Sequence, residues 1–203
     1  VEDGRITNIK VNPKDEGPQK VSMNIFVVER ELLIDLINTA FVRGQKYWER
    51  DVLLSQLDTL NVQAYKYDGY VARICNLQSY FEESMKLLED ENLDALFEGV
   101  SDIHTKVRDD NPTRYIKGAE VENVMVADGC VIEGEVKNSI LFRGVKVEKG
   151  AEVKNCILMQ DTEVGDKCEL NYVISDKNVK IGDYRSTCGT VDYPVFINKG
   201  SVV

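Results

Sequence analysis

The chain has 203 residues and a formal net charge of −10, from 35 acidic residues against 25 Lys and Arg, with one His, five Cys and four Pro. Its 43% hydrophobic content suits a folded domain or two, and no apolar run approaches the ~20 residues of a membrane span. A chain this acidic repels phosphate backbones, so nucleic acid is excluded as a natural partner, and no basic amphipathic stretch or signal peptide points to a membrane or to secretion.

The first half reads as mixed α/β. Residues 5–11 alternate apolar and polar side chains, as a strand does, and stop at Asn12-Pro13. Residues 13–19 form a polar turn region, and residues 20–29, with Val21, Met23, Ile25, Phe26, Val27 and Val28, have the composition of a buried strand. Helical period follows over residues 31–42, where Leu32, Leu33, Leu36, Ile37, Ala40 and Phe41 make one stripe that Gly44 ends. A second helix is predicted over residues 50–60. Residues 62–67 and 70–74 read as two strands joined by the hairpin signal Asp68-Gly69. Residues 77–88 are predicted helical, and residues 89–112 form an acidic linker with some helix, closed by a composition shift at Asp109-Asp110-Asn111-Pro112.

From Gly118 the rhythm changes. Ile140, Ile157 and Ile174 recur at a spacing of 17 residues, as do Val147, Val164 and Ile181, while Val153 aligns with Leu170. A shorter coil, residues 122–136, fits with two residues removed. Inside each coil the aliphatic positions step mostly by six, through Val126, Ile132, Val136, Leu141, Val147, Val153, Leu158, Val164 and Leu170. Two residues before most of them sits a small or branched residue, such as Cys130, Gly134, Ser139, Ala151, Cys156, Thr162 or Cys168. This is the hexapeptide repeat of a parallel β-helix: each step is a short strand and a corner, with the aliphatic side chain in the narrow core. Ser175 breaks the aliphatic column. Cys130, Cys156 and Cys168 fill small-residue slots and are expected as buried free thiols. With no C-x-x-C pair and a single His, a zinc site is not expected. His104 precedes the coils and is expected at the surface. Without a His in any coil, the acyltransferase chemistry common to such coils lacks its general base.

An α/β part followed by hexapeptide coils resembles the nucleotide-sugar pyrophosphorylases, and its details are similar to the ADP-glucose pyrophosphorylase (glucose-1-phosphate adenylyltransferase) family. Residues 22–26, Ser-Met-Asn-Ile-Phe, resemble that family's S-M-G-I-Y strand. Residues 69–76 with Ser79-Tyr80 resemble G-Y-W-x-D-I-G-T-x-x-S-Y, and residues 174–182 resemble I-I-D-K-N-A-x-I-G. The resemblance implies the C-terminal half of a Rossmann-like nucleotidyltransferase domain over residues 1–97, a linker over 98–117 and a left-handed parallel β-helix over 118–203. The start at Val1 rather than Met, and the lack of the family's Gly-rich loop, lead to the expectation that the sequence is a C-terminal fragment of a longer protein.

The departures from the family pattern bear on activity. Where active members have E-K-P, whose Lys meets the sugar phosphate, this chain has Val11-Asn12-Pro13. Where they have the Asp of G-Y-W-x-D, which helps hold Mg²⁺, it has Arg73. A guanidinium offers only N–H donors and repels a dication, although a salt bridge with a nearby acid is an alternative role for it. Ser22 matches a sugar-contacting Ser, so Ser22, Asn12 and Arg73 form a degenerate substrate site, with no catalytic or metal residue expected. Lys177 matches a Lys that binds anionic effectors. The resemblance thus implies a regulatory, GlgD-type, non-catalytic subunit in glycogen biosynthesis. It would be cytoplasmic and oligomeric with itself or with a catalytic homologue, responsive to a sugar phosphate or other anionic effector, and without a cofactor of its own, Mg²⁺ belonging to the catalytic homologue. An active adenylyltransferase and a hexapeptide scaffold or acyltransferase are the alternatives.

Overall fold

A β-strand exists only where a neighbour takes up its backbone hydrogen bonds, and this requirement separates the two parts of the chain. The computed structural model describes all residues but 12, 15–16, 18, 98–102 and 105–107. Its contacts divide into two compact units, Val1–Asp68 and Gly69–Val203.

The first unit is helical. Helix α1 (Arg30–Val42) opens on the bond from the Leu33 amide to the Glu29 carbonyl and closes where Arg43 and Gly44 donate to Thr39 and Phe41. Gly44 sits at φ 67°, as the sequence predicts for a helix stop. The second helix predicted over 50–60 is instead a π-helical turn, Trp48–Leu53, followed by a 3₁₀ turn, Leu54–Gln56. Local side chains account for the difference. The Asp51 carboxylate accepts from the Lys46 and Tyr47 amides, while Gln45 Nε2 and Ser55 Oγ both donate to the Asp51 carbonyl at 2.6 and 2.7 Å. These bonds compete with the α-helical ladder.

The strands expected at 5–11, 20–29, 62–67 and 70–74 do not form. Among the described residues of 1–68 there are only isolated bridges, Glu2 with Arg5 and Arg5 with Gln63, supported by Ile6 N donating to Val62 O and Ala64 N to Gly4 O. Residues 20–29 join no ladder, and Val27 is fully exposed. Their apolar composition supplies a face for a sheet but no partner strand. The expected 62–74 hairpin is also absent: neither arm forms a strand, and Gln63 bridges to Arg5 instead. Buried apolar side chains here are Leu36, Val52, Leu53 and Leu57.

The second unit opens with helix α2 (Leu77–Met85), held by a reciprocal capping box. Asn76 Oδ1 accepts from the Ser79 amide at 2.7 Å, and Ser79 Oγ accepts from the Asn76 amide at 3.0 Å. A 3₁₀ turn, Lys86–Leu88, and helix α3 (Asp90–Phe97) follow. Residues 69–97, which the sequence groups with the α/β part, therefore pack in the same unit as the coils.

The coils form a three-faced parallel solenoid of hexapeptide repeats. One face stacks β1 (Arg114–Tyr115), β3 (Val131–Ile132), β5 (Lys146–Val147), β8 (Glu163–Val164) and β11 (Lys180–Ile181). The second stacks the start of β2 (Glu120–Val126), the start of β4 (Glu135–Leu141), β6 (Glu152–Lys154), β9 (Glu169–Asn171) and β12 (Ser186–Cys188). The third stacks the ends of β2 and β4 on β7 (Ile157–Leu158), β10 (Val173–Ser175) and β13 (Val195–Ile197). The predicted columns are the observed ladders: Ile140 pairs with Ile157 and Ile157 with Ile174, Val147 with Val164 and Val164 with Ile181, and Val153 with Leu170. The short coil is present too, with Glu120 opposite Glu135. The last coil is longer, since Ile174 pairs with Phe196.

Most corners are turned by a residue in the left-handed region; those between β3 and β4 and between β12 and β13 have none. One corner column is Asn123, Asn138, Asn155 and Tyr172, at φ 51, 44, 51 and 52°. A second is Gly129, Gly144, Asp161, Asn178 and Gly200, and a third includes Gly150, Lys167 and Tyr184. Asn, Asp and Gly tolerate this conformation best. The Asn side chains also bond between coils, Asn123 Nδ2 to Asn138 Oδ1 and Asn155 Nδ2 to Asn171 Oδ1, both at 2.9 Å.

The interior is a single apolar column, with Ile132, Val136, Val153, Leu158, Val164 and Val173 fully buried. Its polar members are satisfied. Ser139 Oγ donates to Lys137 O and accepts from Cys156 N, while Thr162 Oγ1 lies 2.9 Å from Ser175 Oγ and bonds to Met159 O. The Ser175 that interrupts the aliphatic pattern is thus buried with a partner. The third face is apolar on its outside as well. Ile140, Ile157 and Ile174 point away from the inner core and are buried beneath Phe81, with Tyr80, Met85 and Leu88 packed against them. At ~1.5–3 kcal/mol for each fully buried large apolar side chain, this second layer contributes substantially to the unit.

Two expectations follow. Gly134 lies where a Cβ would collide with Ala151 O and come within 2.9 Å of Glu148 O, so Gly134→Ala is expected to lower stability by ~1–3 kcal/mol in chemical denaturation. Glu163 stands between Lys146 and Lys180, at 2.8 and 3.0 Å, and their hydrogen bonds hold its carboxyl below the ordinary 4.5. Its contribution is present above that ordinary value and is lost as pH falls through the depressed one. A thermal melt series from pH 7 to pH 3 should therefore show a shallower acid-side decline for Glu163→Gln than for the native chain, by a small margin because the pair is solvent-exposed.

Candidate functional site

The four residues singled out by sequence fall in different places. Asn12 lies outside the described residues. Ser22, in the first unit, is exposed, and its Oγ accepts from the Asn24 amide at 3.1 Å. Asn24 has φ 56°, so the backbone bends here where a strand was expected. Arg73 belongs to the second unit, on the segment leading into the α2 cap, and is exposed. Among the described residues no carboxylate forms an ion pair with it. With only N–H donors at this position, the donor set does not suit Mg²⁺. Among the described residues no group of three or more His, Cys, Asp or Glu is placed to hold a metal ion.

Lys177 occupies a corner between the third and first faces. Its amide donates to Asp176 Oδ1 at 2.7 Å, its carbonyl accepts from Gly200 N at 2.9 Å, and its side chain is exposed. The corner repeats along the solenoid. Asp161 N donates to Arg143 O and Asn178 N to Gln160 O, so Arg143, Gln160, Lys177 and Lys199 occupy equivalent positions in successive coils. Most solenoid lysines on the faces are paired with glutamates, as Lys137 with Glu135 at 2.8 Å and Lys154 with Glu152 at 2.7 Å. Among the described residues Lys177 and Lys199 have no such pairing, and Arg143 reaches only Asp110, at 3.7 Å. Neither Arg143 nor Lys199 was singled out from the sequence, although the signal was available: Arg143 precedes Lys177 by two coils.

The five cysteines divide as the repeat predicts. Cys130, Cys156 and Cys168 are fully buried, and Cys75 and Cys188 are exposed. Burial pushes the Cys156 thiol up to about 12 and also raises that of Cys130, which removes the thiolate that reacts. His104 is exposed. Among the described residues no helix is long and apolar enough to cross a membrane.

Fold and repeat define a hexapeptide-repeat β-helix protein, and the family model described as GlmU-like, C-terminal hexapeptide, matches residues 106–190. Across a larger part of its length the chain is 44% identical, over 181 residues, to the glycogen biosynthesis protein GlgD of Bacillus subtilis, covering 89% of this chain and 52% of that protein. To GlgD of Geobacillus stearothermophilus it is 41% identical over 131 residues, 64% of this chain and 38% of the relative. To the glucose-1-phosphate adenylyltransferase of Thermomicrobium roseum it is 34% identical over 133 residues, 64% of this chain and 31% of that enzyme. The chain is a homologue of the GlgD glycogen biosynthesis proteins, related to the glucose-1-phosphate adenylyltransferases. It spans about half the length, or less, of these curated relatives.

Thiol titration checks the site description directly. A thiol-specific reagent is expected to modify two cysteines of the native chain quickly, Cys75 and Cys188, and all five only after denaturation.

Proposed function

We propose that this chain belongs to a regulatory, non-catalytic partner of glucose-1-phosphate adenylyltransferase in glycogen biosynthesis. The partner reaction converts ATP and glucose 1-phosphate to ADP-glucose and pyrophosphate. The observation that carries the proposal is Arg73, exposed and without an ion pair among the described residues, at the place where the active family motif has a carboxylate for Mg²⁺. At an effective dielectric of ~20, a unit charge ~4 Å away repels the cation by roughly 4 kcal/mol per unit charge, and ~1.4 kcal/mol is already tenfold in rate.

The role left to such a subunit is to assemble with a catalytic homologue in the cytoplasm and to alter its response to ligands. Ser22, Asn12 and Arg73 then mark a degenerate sugar-phosphate site. The Lys177 corner, with Arg143 and Lys199 in register, is the place for an anionic effector, since it offers cations that the face glutamates do not neutralise.

The test uses the complete protein that contains this chain, alone and mixed with a catalytic homologue, with pyrophosphate release from ATP and glucose 1-phosphate as the readout. The expected result is no turnover alone and a changed effector response of the mixture, reduced by Lys177→Ala. Robust turnover by the protein alone would overturn the proposal. The double variant Arg73→Asp with Asn12→Lys should gain measurable activity, and its complete inactivity would count against the mapping of the degenerate site.

A further inference from the structure

Helix α2 touches two features that the sequence keeps 100 residues apart. Its N-cap, Asn76, ends the segment that carries Arg73, and Ser79 ties that segment to the helix: Ser79 Oγ accepts from both the Cys75 and Asn76 amides, at 2.8 and 3.0 Å. Its packing face lies on the outward isoleucine column of the solenoid. Phe81 is 3% exposed and its ring centroid is 5.9 Å from that of Tyr172, a corner residue of the coil that goes on to Asp176 and Lys177. Tyr80 is half-buried on the same cluster, and burial raises its phenol.

Among the described residues the Arg73 segment is otherwise anchored at its start, where Tyr70 is half-buried with its hydroxyl enclosed. Residues 70–74 join no ladder, and the solenoid's backbone bonds close among its own coils without them. The inner core and the outer isoleucine layer are separate clusters, one inside the coils and one outside. Contacts of the outer layer can therefore be lost while the coils keep their stacking.

We propose that α2 is a clasp: docking of Phe81 on the Ile140, Ile157 and Ile174 column fixes the Arg73 segment to the coil that bears Lys177, and undocking releases that segment while the solenoid stays folded. The clasp is a conformational device of the fold, in which ligands or partners acting at the Lys177 corner and at the Arg73 segment meet through one helix. It does not depend on what either place binds.

Amide hydrogen exchange on the full chain separates the outcomes, because local and global opening leave different residues unprotected. In Phe81→Ala, the amides of Cys75, Asn76, Ser79 and the body of α2 are expected to exchange at least tenfold faster, while the Ile140 and Phe142 amides, which bond to Cys156 O and Leu158 O inside the ladder, keep their native rates. The conservative Phe81→Leu should recover most of the protection. The proposal is overturned if the coil amides accelerate in parallel with α2, which would make the helix part of one cooperative unit with the solenoid. It is equally overturned if the α2 amides are unchanged, since Phe81 would then not be what docks the helix.

Discussion

In-register stacking of the coils is the constraint on which the rest of this structure depends. A parallel ladder places residue i of one coil beside residue i of the next, so each coil must return to the same point after the same path. Where the coil is 17 residues long, Val147 meets Val164 and Val164 meets Ile181, and the inner column stays continuous. A residue gained or lost within a face would turn every later side chain to the opposite side. The 15-residue coil and the lengthened last coil obey the same rule by changing length at corners: the strands Glu120–Val126 and Val195–Ile197 still align with their neighbours.

The corners carry the cost of this regularity. Most take a left-handed residue, and the columns show the chemistry that suits it, mostly Asn, Asp and Gly, with side-chain bonds between Asn residues of successive coils. Lys167, Tyr172 and Tyr184 occupy the same conformation without that advantage. Lys167 and Tyr184 stack as a cation over a ring at 5.3 Å, and Tyr172 packs on Phe81, so each of these less suited residues has a contact across coils or to the helix. The corners also set the chemistry of the surface. The faces pair Lys with Glu between coils, whereas a corner lifts its side chain clear of the ladder, and this is how Lys177 and Lys199 come to stand unpaired among the described residues.

The consequence is a division within the chain. The solenoid is closed on itself and covered on one outer face by α2, while the segments resembling the sugar-binding strands of the adenylyltransferases lie outside any sheet. Ser22 and Arg73 are carried by such segments. At positions 12 and 73 the chain has Asn and Arg where the family motifs that it resembles carry Lys and Asp.

The sequence by itself determined the solenoid, its coil length, its short coil, the burial of Cys130, Cys156 and Cys168, and helices α1 and α2, because each of these rests on local period: six residues to a face, 3.6 to a helical turn. Lys177 was legible through a motif and Arg143 through the 17-residue repeat, while Lys199, beyond the lengthened last coil, was placed only by the stack. Only the tertiary structure decided that residues 20–29 and 62–74 would not be strands, since composition can specify a face but not the neighbour that completes its hydrogen bonds. Only the tertiary structure, likewise, showed that Ile140, Ile157 and Ile174 face outward under Phe81 rather than inward with Leu141 and Leu158. The repeat spacing is the same for both columns, and which side of a strand is covered depends on what packs against it.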